Sequence, residues 1–305
     1  MSDFTIVCPD TKAITRHEWL ELRRQYVCGS DADAALNLSP YSNPVKLYAE
    51  KVDPLPEDDE REETERMYWG NVQEETIAQE LGRRVGVNII YDPVMVASTR
   101  WSWLAGNPDR FIPNGIVECK NVDVSQASEW RDGPPLHARI QFMTYLAVLG
   151  PDYTHGYIAA LIGGNRFVHY YLERDEMLIE SIVAGTEKFW TMVQMGRMPD
   201  IDGSDITAKA IANRYSDVKV EAVECGPALL DLVTERDARE KIVKMENDKL
   251  KEVDNKIKAM LGDAEAGMVD GVVIATWKSQ TRKAHEVKES TFRKLHFPKQ
   301  KEEKQ

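Results

Sequence analysis

Asn107-Pro108-Asp109, followed by Gly115-Ile116-Val117-Glu118-Cys119-Lys120, is the stretch on which the reading of the chain turns. An apolar run opening on glycine suits a short buried strand. Side chains alternate across a strand, so Glu118 and Lys120 share one face and Cys119 takes the other. Two charges closing a buried strand are costly unless they have partners. Asp109, nine residues before Glu118 at a turn, can supply one. Two carboxylates can hold hard cations through oxygen. A lysine beside them can orient water or offset charge building on a phosphate. The bare spacing D-x8-E-x-K also describes a turn aspartate and a Glu–Lys ion pair at a strand end.

Working outward, Trp19, Leu20, Leu22, Arg23 and Tyr26 fall at helical spacing and predict a helix over 16–28. Turn signals follow at Ser39-Pro40 and Asn43-Pro44, then a second helix from Val45 to Glu50. Residues 51–62 hold two prolines and many acids and read as a loop. A longer helix is predicted from Thr64 to Leu81, with Met67, Val72, Ile77, Ala78 and Leu81 on its buried side and Gly82 and Gly86 bracketing its end. VNIIYDPVMVAS at 87–98 reads as one or two strands. Residues 136–149 return to helix, 157–164 and 167–174 read as a strand pair turning at Gly163-Gly164-Asn165, and 174–196 as a long helix. Helices alternating with a mixed sheet make an α/β layered domain, drawn here as 1–203. Residues 204–305 form an extension: a helix over 227–261, a short β unit GVVIATWKSQ, and a basic tail with Lys278, Arg282, Lys283, Lys288, Arg293 and Lys294.

The 305 residues, 42% of them hydrophobic, can bury one large core, or one core and an appendage. No apolar run approaches the roughly 20 residues of a membrane span. The first residues lack the basic-then-apolar pattern of a signal peptide, so the cytoplasm is the expected location. The four cysteines, at 8, 28, 119 and 225, contain no C-x-x-C pair and read as free thiols. The net charge of −12 argues against a protein that coats nucleic acid through a basic surface. An enzyme acting through a local cleft and metal ions is compatible with it. The acids cluster in EDDEREETE at 57–65. Trp101 and Trp103 could stack on bases or line a half-buried sheet edge.

The motifs taken together resemble the PD-(D/E)xK nucleases, and within them the lambda exonuclease / YqaJ-type viral recombinase family. WLELRRQYVCGSDADAALNLSPYSNPVKLYAEK resembles the family's opening block, with a Trp and an Arg before G-S-D-A, and S-P-Y and a lysine after it. MYWGNVQEE resembles its G-x-x-x-E helix and puts the glutamate at Glu74. NPD and VECK match its core, and QFMTYLAVLG its Q-x-x-x-Y helix, which supplies Gln141. Phe189-Trp190 and a G-x-x-P turn at Gly196–Pro199 also fit. The blocks occur in the family's order over about 16–200.

The resemblance implies a restriction-endonuclease-like α/β/α core with a mixed central sheet. It implies Mg2+, with Mn2+ able to substitute, as two ions held by Asp109, Glu118 and the Cys119 backbone carbonyl, and by Glu74 directly or through water. Lys120 would assist the attacking water and Gln141 position the site. Arg23, Ser30 and Asn107 match a pocket for a terminal 5′-phosphate. A guanidinium fork and a hydroxyl both suit phosphate oxygens. By themselves, Arg23 could as well pair with Glu21, and Ser30 could be a helix cap. Asn107 stands where lambda exonuclease has a serine. The implied activity is digestion of one strand of linear duplex DNA from its 5′ end, leaving a 3′ single strand for an annealing protein. The implied assembly is a ring-shaped homo-oligomer, often of three subunits. Two other readings stay open: a structure-specific endonuclease on the same fold, and a non-catalytic DNA-binding or assembly protein.

Overall fold

The computed structural model describes residues 3–55, 64–216 and 222–281. The acidic run up to residue 63 and the basic tail from Arg282 onward lie outside the described residues. The chain divides into two units, Met1–Ser216 and Asp217–Gln305.

The first unit runs β1 (Phe4–Cys8), α1 (Arg16–Arg24), β2 (Val27–Cys28), a 3-10 turn at Gly29–Asp31, α2 (Ala32–Ala35), α3 (Pro44–Val52), α4 (Glu65–Val85), β3 (Met95–Ser98), β4 (Leu104–Gly106), β5 (Arg110–Ile112), β6 (Gly115–Val122), α5 (Leu136–Leu149), β7 (His155–Ile162), β8 (Arg166–Glu173), α6 (Glu176–Gln194) and α7 (Asp205–Arg214). The strands form two four-stranded mixed sheets, ordered β1-β3-β4-β2 and β5-β6-β7-β8. In the second sheet β6 and β7 are parallel, pairing Glu118 with Ile158 and Lys120 with Ala160. Its other pairings are antiparallel.

The period-2 pattern of β6 decides its layering. Val117 and Cys119 join Ile77 and Leu81 of α4 on one face, with Ile112 and Ala159. Ile116 and Val122 face the other way, into the main core with Ile140, Phe142 and Leu146 of α5 and Ile179, Ile182 and Phe189 of α6. Helices therefore cover both faces of this sheet, the α/β/α arrangement. Helix α5 is apolar on nearly every side, ten of its fourteen residues being buried, as befits a central helix rather than an amphipathic surface one.

The predicted elements differ from the observed ones mainly at their ends. Helix α1 stops at Arg24, not 28, because Val27 leaves it to pair in parallel with Leu104. Helix α4 continues through Gly82 to Val85 and ends at Gly86, whose left-handed φ of 71° a glycine adopts freely. Trp101 and Trp103 are half-buried against the main core, and the Trp103 indole donates to Thr186 at 3.2 Å. Helix α7 lies past the expected limit of 203. Its Thr207 and the capping Ser204 accept hydrogen bonds from the buried Asn43 amide at 2.7 and 3.1 Å, and its Arg214 pairs with Asp53.

The second unit holds α8 (Pro227–Leu261) and a hairpin of β9 (Ala266–Val269) and β10 (Val272–Thr276). Exposed pairs one helical turn apart brace α8: Arg239 with Glu235, Arg236 with Glu240, Lys256 with Glu252. Among the described residues no helix is long and apolar enough to cross a membrane.

Candidate active site

The start of β5 and the middle of β6 build one side of the site. Asp109 sits just before β5, and its Oδ2 accepts the Cys119 backbone N–H at 2.7 Å. That bond ties the turn carboxylate to the middle of β6. Glu118, 1% exposed, shares its face with Lys120, and Lys120 Nζ donates to Glu118 Oε1 at 2.7 Å. Helix α5 closes the site from above the sheet. Gln141 Nε2 donates to Glu118 Oε1 at 2.7 Å while its Oε1 accepts from Lys120 Nζ at 2.8 Å. A neutral amide thus bridges the acid and the base and fixes both.

One turn along α5, Tyr145 receives a second bond from Gln141 Nε2, at 3.0 Å. Its ring is buried against two backbone stretches that can approach only because they carry glycine. A Cβ on Gly29 would lie 2.2 Å from the ring, and one on Gly106 2.6 Å from it. Burial, then the Glu118 and Asp109 charges, raise the Tyr145 phenol well above its ordinary value, so it stays a hydroxyl.

Burial, then the neighbouring Glu118 and Glu74 carboxylates, push Asp109 well above the usual carboxylate range. Burial also pushes Glu118 up, against the pull of Lys120. For Lys120, burial works against the ammonium, but Glu118 and Asp109 outweigh it and the net shift is upward. Glu118 Oε2 is buried with no hydrogen-bond partner among the described residues. A buried carboxylate oxygen left unpaired is costly. Beside the half-buried Asp109 carboxylate, it is what a site for a divalent cation provides. Glu74 lines the same cleft as Asp109 but is held by Arg110, which also binds Glu75 at 2.8 Å. Among the described residues no three His, Cys, Asp or Glu side chains converge into a ready metal cage. Asp109 and Glu118 are the carboxylates that the site brings together beside Lys120.

Asp109, Gln141, Tyr145, Asn107, Arg23 and Ser30 line one cleft. Arg23 Nη2 donates to Ser30 Oγ at 2.8 Å and to Asp31 Oδ1 at 2.6 Å, and the guanidinium stacks 4.6 Å over the Trp19 ring. Asn107 donates its amide to the Val94 carbonyl at 2.7 Å. Of the residues expected at the site, Glu118, Lys120 and Gln141 hydrogen-bond to one another, and Asp109 is tied to the same strand through the Cys119 N–H. Glu74, Arg23, Ser30 and Asn107 line the same cleft.

Comparison with known proteins follows the same motifs. Residues 18–153 match the model of the YqaJ-like viral recombinase domain. The chain is 31% identical over 270 residues to the uncharacterized protein YqaJ of Bacillus subtilis (strain 168), covering 87% of this chain and 84% of that protein. The chain belongs to the YqaJ-like viral recombinase family. Two solved structures also resemble this YqaJ-like chain. An alkaline exonuclease (LHK-Exo) from Laribacter hongkongensis aligns with a TM-score of 0.49 at 16% identity, over 59% of this chain and 93% of that one. A phage related exonuclease from Haemophilus somnus 129PT aligns with a TM-score of 0.42 at 13% identity, over 58% and 99%.

Four residues of this neighbourhood were assigned no role in the sequence reading, although Asp31, Lys51 and Tyr145 stand inside the motif blocks quoted there. Arg110, Asp31 and Lys51 act as buried charges, and each is legible only once its partners are known. Tyr145 had a signal, its place one helical turn after Gln141.

Proposed function

We propose that this chain is a metal-dependent deoxyribonuclease that degrades one strand of linear duplex DNA from its 5′ end. The observation that carries the reading is the partnerless, buried Glu118 Oε2 beside Lys120 and Asp109, with Asp109 lining a cleft that Arg23 and Ser30 also line. Asp109, Glu118 and the Cys119 carbonyl would hold magnesium or manganese, with Glu74 contributing through water. A bound divalent cation supplies Lewis acidity at a phosphoryl oxygen and lowers the pKa of bound water.

The protein's own groups do the rest. Lys120, positively charged and held by Gln141 and Glu118, faces the attacking water and the charge growing on the phosphate. Gln141 keeps the lysine and the glutamate in register. Arg23 has five N–H donors; one nitrogen serves Ser30 and Asp31, and the others meet no protein acceptor among the described residues. They and the Ser30 hydroxyl would take the terminal 5′-phosphate, with Asn107 beside them. An end-binding pocket joined to the cutting site favours an exonuclease over a branched-DNA or internal cutter. A homo-oligomeric ring around the duplex and a single-strand annealing partner for the 3′ strand complete the reading.

The test is digestion of end-labelled linear duplex beside covalently closed circular duplex, with magnesium and with chelator. The proposal predicts magnesium-dependent loss of nucleotides from linear 5′ ends and intact circles. Cutting of circles at a comparable rate would make the chain an endonuclease. No cutting of either under magnesium or manganese would leave a DNA-binding or assembly role.

A further inference from the structure

Behind Arg23 lies a buried charge cluster that the proposed chemistry does not use. Asp31 is buried with both carboxylate oxygens occupied. Its Oδ1 accepts from Arg23, and its Oδ2 accepts from Lys51 Nζ at 2.7 Å and from the Cys28 N–H at 3.0 Å. Lys51 projects from α3 with a side chain only 4% exposed, and its Nζ also donates to the Arg23 backbone carbonyl at 3.0 Å. Neither cleft bordering Arg23 is lined by Lys51. A lysine almost never sits this deep unless paired, and taking its charge out of water costs several kcal/mol.

Charge balance shows what the burial achieves. Arg23 and Asp31 alone would cancel, leaving the guanidinium a poor magnet for an anion. Lys51 neutralises Asp31 from behind, so one positive charge stays uncompensated and faces the cleft through Arg23. The bond to the Arg23 carbonyl joins the end of α1 to α3 and keeps the guanidinium over Trp19. Although burial disfavours its ionised form, Asp31 is pulled down to about 2 by Arg23 and Lys51, so the arrangement stays charged at working pH.

We propose that Lys51 is a positioning residue for anion recognition: through Asp31 and the Arg23 carbonyl it sets both the charge and the placement of the Arg23 guanidinium for a terminal phosphate monoester. The inference rests on the reading of Arg23 and Ser30 as the end pocket. It assigns the selectivity for phosphorylated ends partly to a residue that never touches DNA.

The test compares kcat and KM of the full chain and of Lys51→Met on linear duplexes ending in 5′-phosphate or 5′-hydroxyl, with thermal melting as a check on folding. Lys51→Met should raise KM for phosphorylated ends about tenfold, the scale of one charge-assisted interaction. It should leave hydroxyl ends and kcat as in the parent. The double variant Asp31→Asn/Lys51→Met restores a net positive charge on Arg23 and leaves no buried ion unpaired. It should return the end preference to within roughly threefold of the parent, because the two losses are coupled. Equal loss on both kinds of end, or a double variant no better than Lys51→Met, would show a merely structural lysine and overturn the proposal. If the parent chain digests DNA without preferring phosphorylated ends, the end-pocket reading falls and this inference with it. If the parent prefers them and Lys51→Met does so equally, the inference alone falls.

Discussion

Gly106→Ala tests whether the fold and the active site are mechanically linked. Gly106 ends β4, and an added Cβ would lie 2.6 Å from Tyr145 Cδ1 and 3.1 Å from Cε1. Neither atom is the far end of a flexible chain. The ring is 5% exposed, and Gly29 presses on the same edge. The ring must therefore shift, and overpacking of this kind costs about 1–3 kcal/mol. For a domain of this size each kcal/mol lowers Tm by roughly 2–4 °C, so a fall of roughly 2–12 °C is expected. The phenol would move with the ring, away from Gln141 Nε2, the atom that also holds Glu118. Misplacement of a catalytic group by about 1 Å can cost a hundredfold in rate, so kcat should fall by more than the loss of folded protein explains. Melting curves and single-turnover digestion of linear duplex measure both effects. In a Tyr145→Leu background the ring is gone, and Gly106→Ala should then cost less than about 0.5 kcal/mol. An alanine that leaves Tm and rate unchanged in the parent chain would refute the reasoning.

Two further outcomes follow from the same geometry. Asp109 titrates above its ordinary value of 3.8, so the stability its protonated form contributes is present below that value and lost as pH rises through the folded pKa. In chelator, Asp109→Asn should therefore gain Tm over the parent as buffers move from acidic to neutral, and magnesium should erase the gain by stabilising the parent alone. A difference that is constant with pH would contradict the assignment. A chain ending at Ser216 should keep magnesium-dependent digestion, since the candidate site lies between Arg23 and Tyr145. One ending at 203 should melt lower, because Asn43 loses Ser204 and Thr207. Digestion abolished in a well-folded 216-residue chain would put part of the site beyond that point.

The core of the site was legible because a strand's period needs no tertiary knowledge. Glu118 and Lys120, two apart, had to share a face, whereas Gln141 was picked out only by the resemblance of its helix to a family block. The two-sided burial of β6 was visible in the unbroken run Ile116-Val117. What was not legible depends on contacts distant in sequence. Lys51 looks like any helix-end lysine until Asp31 is seen 2.7 Å away. Nothing in the sequence around Glu74 shows that Arg110, its neighbour in space, pairs with it. The helical pattern through Tyr26 continued past the true end of α1, because the pairing of Val27 with Leu104 overrides local propensity. The limit at 203 followed a Pro-Asp-rich connector and missed α7, whose attachment to α3 is made by polar capping groups that leave little apolar pattern.

The account rests on Glu118 and its free carboxylate oxygen. The direct measurement is digestion of 5′-phosphorylated linear duplex in magnesium by the parent chain and by Glu118→Gln, with binding to the same duplex in calcium measured alongside. Glutamine can still accept from Lys120 and Gln141, so the fold should persist. The account predicts release of nucleotides by the parent, none by Glu118→Gln, and duplex binding retained by the variant. Digestion by Glu118→Gln at the parent's rate would contradict it.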